Sequence, residues 1–109
     1  MTQDDAVDTF AALAQPSRLS IYRLLVTIGP DGLIASDIAR RLEIVPSTLS
    51  GHLAILKRAG LLIATRKSRE IHYAANLERM NDLVVFMLSD CCGGHVENCS
   101  EILTLLARD

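Results

Sequence analysis

The chain has 109 residues, half of them hydrophobic, with few aromatics, no Trp and a formal charge of −2 at pH 7. That is the length of one domain, able to bury a core but small enough to gain from oligomerisation. No apolar run approaches the roughly 20 residues of a membrane span, and the acidic start Met1-Thr2-Gln3-Asp4-Asp5 lacks the basic region of a signal peptide, which points to the cytoplasm and to no membrane partner.

Asp4 to Ala14 carries Val7, Phe10, Ala11 and Ala14 at helical spacing, with acids in the first turn where the helix dipole favours them. Gln15-Pro16 breaks this first helix. Pro16 opens a second, with Leu19, Ile21, Tyr22, Leu24 and Leu25, which ends at Gly29-Pro30-Asp31-Gly32. Ser36 is the expected cap of a short third helix whose Ile38, Ala39 and Leu42 face inward. After the tight connection Glu43-Ile44-Val45, Pro46 and Ser47 open a fourth helix that runs to Ala59 and stops at Gly60.

The third and fourth helices have the form of a helix-turn-helix. Leu49, Leu53 and Leu56 make one apolar stripe, and the opposite face carries Ser47, Thr48, Ser50, Gly51, His52 and Lys57. Small hydroxyl residues followed by a base suit a recognition helix, because hydroxyls approach base edges and phosphates without steric obstruction. Pattern alone leaves a plain helical hairpin as the alternative.

Leu61 to Arg66 and Glu70 to Ala74 then read as two strands around a turn containing Lys67-Ser68-Arg69. The tip of this hairpin carries Arg66, Lys67 and Arg69, which completes a winged helix with a wing placed for phosphates or a minor groove. The fold class is therefore mainly α with a small β-hairpin. Between Ser36 and Tyr73 seven Lys and Arg face three Asp and Glu, a net +4 on a body whose remainder is −6. A basic middle on an acidic body is the footprint of a nucleic-acid binder, though a solvated face explains charge alone. The last helix, after Asn76, carries Leu77, Met80, Leu83, Val84, Val85, Phe86, Met87 and Leu88. It is too apolar to stand in water at the edge of a small domain. With the first helix it is expected to form a homodimer interface through Val7, Phe10, Leu83, Val84 and Met87.

All three cysteines fall in Cys91-Cys92-Gly93-Gly94-His95-Val96-Glu97-Asn98-Cys99. Three sulfurs are a soft ligand set, suited to a thiophilic metal or metalloid. Buried cysteines also serve as small hydrophobes, but that use scatters them over several helices. In a reducing compartment an odd, clustered set points to ligand binding rather than a disulfide framework. Gly93 and Gly94 leave the backbone free to fold back so that Cys99 reaches its neighbours.

The run Ser47-Thr48-Leu49-Ser50-Gly51-His52-Leu53-Ala54-Ile55-Leu56-Lys57-Arg58-Ala59-Gly60-Leu61 resembles the signature of the ArsR/SmtB family of bacterial repressors. Pro16-Ser17-Arg18-Leu19-Ser20-Ile21-Tyr22-Arg23-Leu24-Leu25 is similar to the start of that family's second helix. The resemblance covers nearly the whole chain. It implies a homodimeric winged-helix repressor, one domain over 1–109 with an inducer-binding segment over about 89–109, that leaves duplex operator DNA when an inducer binds. A symmetric dimer implies an imperfectly palindromic operator. One departure from the family is the wing tip, where Lys67-Ser68-Arg69-Glu70 replaces a glycine-containing turn.

The family's sensor sites differ in place. The Cys-x-Cys arsenic site at the third helix is absent, since Leu33-Ile34-Ala35-Ser36-Asp37 stands there. The terminal helix has Asp82 but no histidine for a zinc or cobalt site, and the second helix has no cysteine for a redox pair. Cys91, Cys92 and Cys99 resemble the ligands of a subgroup of arsenite repressors with an adjacent cysteine pair after the terminal helix. Trivalent arsenic and antimony favour three sulfurs in a pyramid, whereas structural zinc takes four ligands. The expected inducer is therefore As(III) or Sb(III). Three rivals remain open: a zinc or cadmium sensor with His95 as fourth ligand, a thiol-oxidation sensor, and a cytosolic thiol enzyme or metal-handling protein, which the basic recognition helix and wing disfavour. No catalytic constellation is apparent.

Overall fold

Cap chemistry and apolar spacing together set the helices. In the computed structural model, which describes residues 1–91, α1 spans Gln3–Leu13 and starts at a capping box. The Thr2 hydroxyl accepts from the Asp5 N–H and the Asp5 carboxylate accepts from the Thr2 N–H, both at 3.1 Å. α2 spans Pro16–Ile28, with Pro16 in its first turn and the Gln15 side chain accepting from the Arg18 N–H at 2.8 Å. The Arg18 Nε also donates to the Ala12 carbonyl at 2.6 Å. A cation thus closes the C-terminus of α1, where the helix dipole favours one.

Two short helices follow: α3, Ala35–Leu42, and α4, Pro46–Arg58. Glu43, with φ 54°, makes the left-handed turn between them. β2, Leu62–Lys67, and β3, Glu70–Ala75, pair antiparallel from Leu62↔Ala75 to Lys67↔Glu70. A two-residue strand, β1 at Leu33–Ile34, adds to the other edge of β3 in the order β1-β3-β2. Gly32 permits this approach: its φ is +70°, and a Cβ there would run into the Tyr73 carbonyl oxygen. Asn76 then joins the wing to α5, Leu77–Cys91, donating from Nδ2 to the Gly60 carbonyl at 2.8 Å. None of the described helices is long and apolar enough to cross a membrane.

The core is helical and aliphatic. Ile21 and Leu25 of α2, Ile38 of α3, and Leu49 and Leu56 of α4 are nearly inaccessible, together with Leu61. Each such side chain contributes about 1.5–3 kcal/mol by leaving water. The stripe Leu49, Leu53 and Leu56 holds α4 against this core, so its opposite face is turned to solvent. The architecture is a winged helix-turn-helix.

Two readings need amendment. Ser36 does not cap α3; the cap position is Ile34, with no side-chain hydrogen bond, because joining β1 moves the helix start two residues earlier. β1 itself was not expected. α1 turns Ala6, Thr9 and Ala12 inward, which leaves Val7 and Phe10, expected at a dimer interface, 56% and 44% exposed on the single chain.

Candidate nucleic-acid interface

α4 presents the face that its sequence indicates. Ser47, Thr48, Ser50, Gly51 and Lys57 are exposed and His52 is half-buried. The Ser50 Oγ donates to the Pro46 carbonyl at 3.2 Å, which occupies its proton and leaves the oxygen as an acceptor. Gly51 lies mid-helix, yet a Cβ there would meet nothing within 4 Å. No packing among the described residues calls for a glycine at that position, and a bare backbone is what allows close approach of another molecule. The start of α4 has no acid in its first turn and no side-chain cap, so the positive end of its dipole is uncompensated.

The wing is tighter than expected. Arg66 and Lys67 are the last residues of β2, and the turn is only Ser68-Arg69. Ser68 takes φ 58°, which supplies without glycine the left-handed residue that a two-residue hairpin needs. The Arg66 Nε donates to the Ser68 carbonyl at 3.3 Å, and the Lys67 Nζ to the Asp31 carbonyl at 3.2 Å. Arg69 is exposed.

Two cations missing from the expected site stand on α3. Arg40 and Arg41 lie in its last turn, Arg41 exposed and Arg40 bonded to Asp37 at 2.8 Å. The first helix of a helix-turn-helix crosses the DNA backbone, and their place in the basic window was the signal available.

α1 and α5 lie against each other and carry Val7, Phe10, Val85 and Met87 as exposed apolar side chains. Val84 is half-buried. Leu83 is 3% exposed, so its surface is consumed within its own protomer and little is left for a second one. Cys91 ends α5, but its side chain is outside the described set; Cys92, His95 and Cys99 lie outside the described residues. Among the described residues, no three His, Cys, Asp or Glu side chains are grouped to hold a metal ion.

Residues 13–64, from the end of α1 into β2, match the family described as a helix-turn-helix domain. Transcriptional repressor SdpR of Bacillus subtilis (strain 168) is 35% identical over 82 residues, covering 75% of this chain and 88% of that protein. The ArsR-like transcriptional regulator from Rhodococcus sp. RHA1 has 25% identity and a TM-score of 0.71, over 95% of this chain and 93% of that one. The chain belongs to the ArsR family of winged-helix transcriptional regulators. A further relative, the arsenical resistance operon repressor of Escherichia coli (strain K12), is 33% identical over 67 residues, which is 62% of this chain and 56% of that protein. The span of 13–64 stops short of the cysteines.

Proposed function

We propose that this ArsR-family regulator is a metalloid-responsive repressor: a homodimer that holds duplex operator DNA and leaves it when As(III) or Sb(III) is bound by Cys91, Cys92 and Cys99. One observation carries the reading. Every thiol of the chain lies at or just beyond the end of α5, the helix whose exposed Val85 and Met87 suit a dimer contact. The relationship to an arsenical resistance operon repressor supports it.

The chemistry of the donor set fits. Condensation of arsenous acid with three thiols exchanges three As–OH bonds for three As–S bonds and releases three waters. No charge has to build up on sulfur first. Zinc loading, by contrast, must expel protons from cysteine. Asp90 precedes the cluster and Glu97 lies within it, and negative potential disfavours thiolates. Both features favour the metalloid over zinc.

On the DNA side, Ser47, Thr48, Ser50 and Gly51 meet base edges or phosphates. His52 supports the helix, and Lys57 and Arg69 neutralise backbone charge. A two-fold dimer must place its two recognition helices about 34–36 Å apart. Tying Cys99 to Cys91 and Cys92 reshapes the end of α5 and, through the dimer contact, misplaces both reading heads. An allosteric coupling of ~1–3 kcal/mol lowers affinity about 5- to 150-fold, enough to empty an operator.

The test is release of operator DNA titrated with arsenite, antimonite, zinc and cadmium, on wild type, each single Cys→Ser variant and His95→Ala. The reading expects release by the metalloids, loss of release in the Cys→Ser variants, and an unchanged response in His95→Ala. Release by zinc or cadmium that depends on His95 would replace the metalloid with a four-ligand ion.

A further inference from the structure

Val45 stands where helix chemistry and solvation both disfavour it. It is the N-cap residue of α4, a position that prefers Ser, Thr, Asp or Asn, and α4 consequently has no side-chain cap. It is also 64% exposed, more than any other large hydrophobic side chain described. The neighbouring Ile44 packs against the core and Val45 does not. Its conformation is nonetheless well determined. Pro46 follows it and restricts its backbone, which is extended at φ −58° and ψ 131°. β-branching then stiffens χ1. The result is a fixed pair of methyl groups at the leading end of the recognition helix, beside the exposed Ser47 and Thr48.

The N-terminal residues of such a helix approach base edges in the major groove, where the one apolar group is the C5-methyl of thymine. We propose that Val45 is a specificity residue that packs against a thymine methyl in each operator half-site. The inference rests on the reading of this chain as an operator-binding dimer and adds a base preference to it. Contact with one methyl group carries about a 4-fold change in affinity per half-site.

The experiment selects binding duplexes from a randomised library with the full-length wild-type protein. Each selected thymine is then replaced in both half-sites by deoxyuridine, which removes only the methyl group, and Kd is measured for wild type and Val45→Ser. The expected result is one thymine position where wild type loses about 4-fold per half-site and Val45→Ser loses nothing. Val45→Ser should also melt higher, because serine caps the helix, so a failure to fold does not confuse the outcome. Wild-type indifference to every replacement, or the same penalty in Val45→Ser, would overturn the proposal. So would complete loss of binding by a folded Val45→Ser, which one methyl contact cannot explain. A library that enriches no sequence would overturn the operator-binding reading along with it, which separates the two failures.

Discussion

The Lys67 Nζ lies 3.2 Å from the Asp31 carbonyl oxygen, tying the last residue of β2 to the turn that precedes β1. A lysine expected only as a phosphate contact thus also positions the wing. Arg66 is bonded to the Ser68 carbonyl across the same tip, which leaves Arg69 as the wing cation with no side-chain hydrogen bond among the described residues. Arg69→Ala should therefore reduce the slope of log Kd against log salt by about 1, the loss of one phosphate contact. Lys67→Met should weaken binding with a smaller change of slope. Equal slope changes in the two variants would assign Lys67 to the DNA backbone instead.

Gly51 offers a second prediction, in which stability and function part. Its absent side chain weakens α4, and a Cβ would meet nothing within 4 Å among the described residues. Gly51→Ala should stabilise the fold by roughly 0.5–1 kcal/mol, read from denaturant unfolding. It should also weaken operator binding, because the new methyl stands between helix and groove. Unchanged affinity would mean that Gly51 does not face DNA closely.

The wing turn stores a small strain at Ser68, whose φ is 58°. Ser68→Gly should stabilise the protein by about 1 kcal/mol, the usual cost of a left-handed non-glycine residue. Thermal melting of the two proteins measures it. Ala at the same place should bring no such gain.

The capping box of α1 gives the fold an acid-side pH dependence. The Thr2 backbone N–H, bonded to the Asp5 carboxylate, holds that carboxyl below its usual 3.8. A carboxyl lowered in the folded state adds stability above its unfolded pKa and loses it as pH falls through the folded value. Asp5→Asn should therefore flatten the melting temperature against pH at and below about 3.8, leaving it unchanged in shape near neutrality. Because Asp5 stands at the solvent-accessible start of α1 and is only half-buried, the change is small.

The parts legible in sequence were those written in strong periodicities. The stripe Leu49, Leu53 and Leu56 fixed which face of α4 is buried, and therefore which face is free. Glu70 to Ala74 and its partner strand were legible because a short polar turn divides them. β1 was not, since two residues are too few to show alternation. The inward face of α1 was also missed. Ala6, Thr9 and Ala12 are small and weakly hydrophobic, so the larger Val7 and Phe10 dominated the pattern while pointing outward. The Lys67–Asp31 tie spans 36 residues and has no local signature. Val45 reads in the sequence only as part of the connection before α4; the fold makes it the cap residue and exposes it, while its neighbour Ile44 is partly buried against the core.

The most direct test of the whole account is linkage between inducer and DNA. Arsenite affinity is measured for the free dimer and for the same dimer saturated with its selected operator duplex. Reciprocity requires that an inducer which weakens DNA binding be weakened by DNA to the same degree, about 5- to 150-fold for ordinary couplings. The account predicts a loss of arsenite affinity in that range on the operator-bound protein, and no arsenite binding by the Cys91→Ser, Cys92→Ser, Cys99→Ser triple variant. Equal arsenite affinity with and without DNA would contradict it.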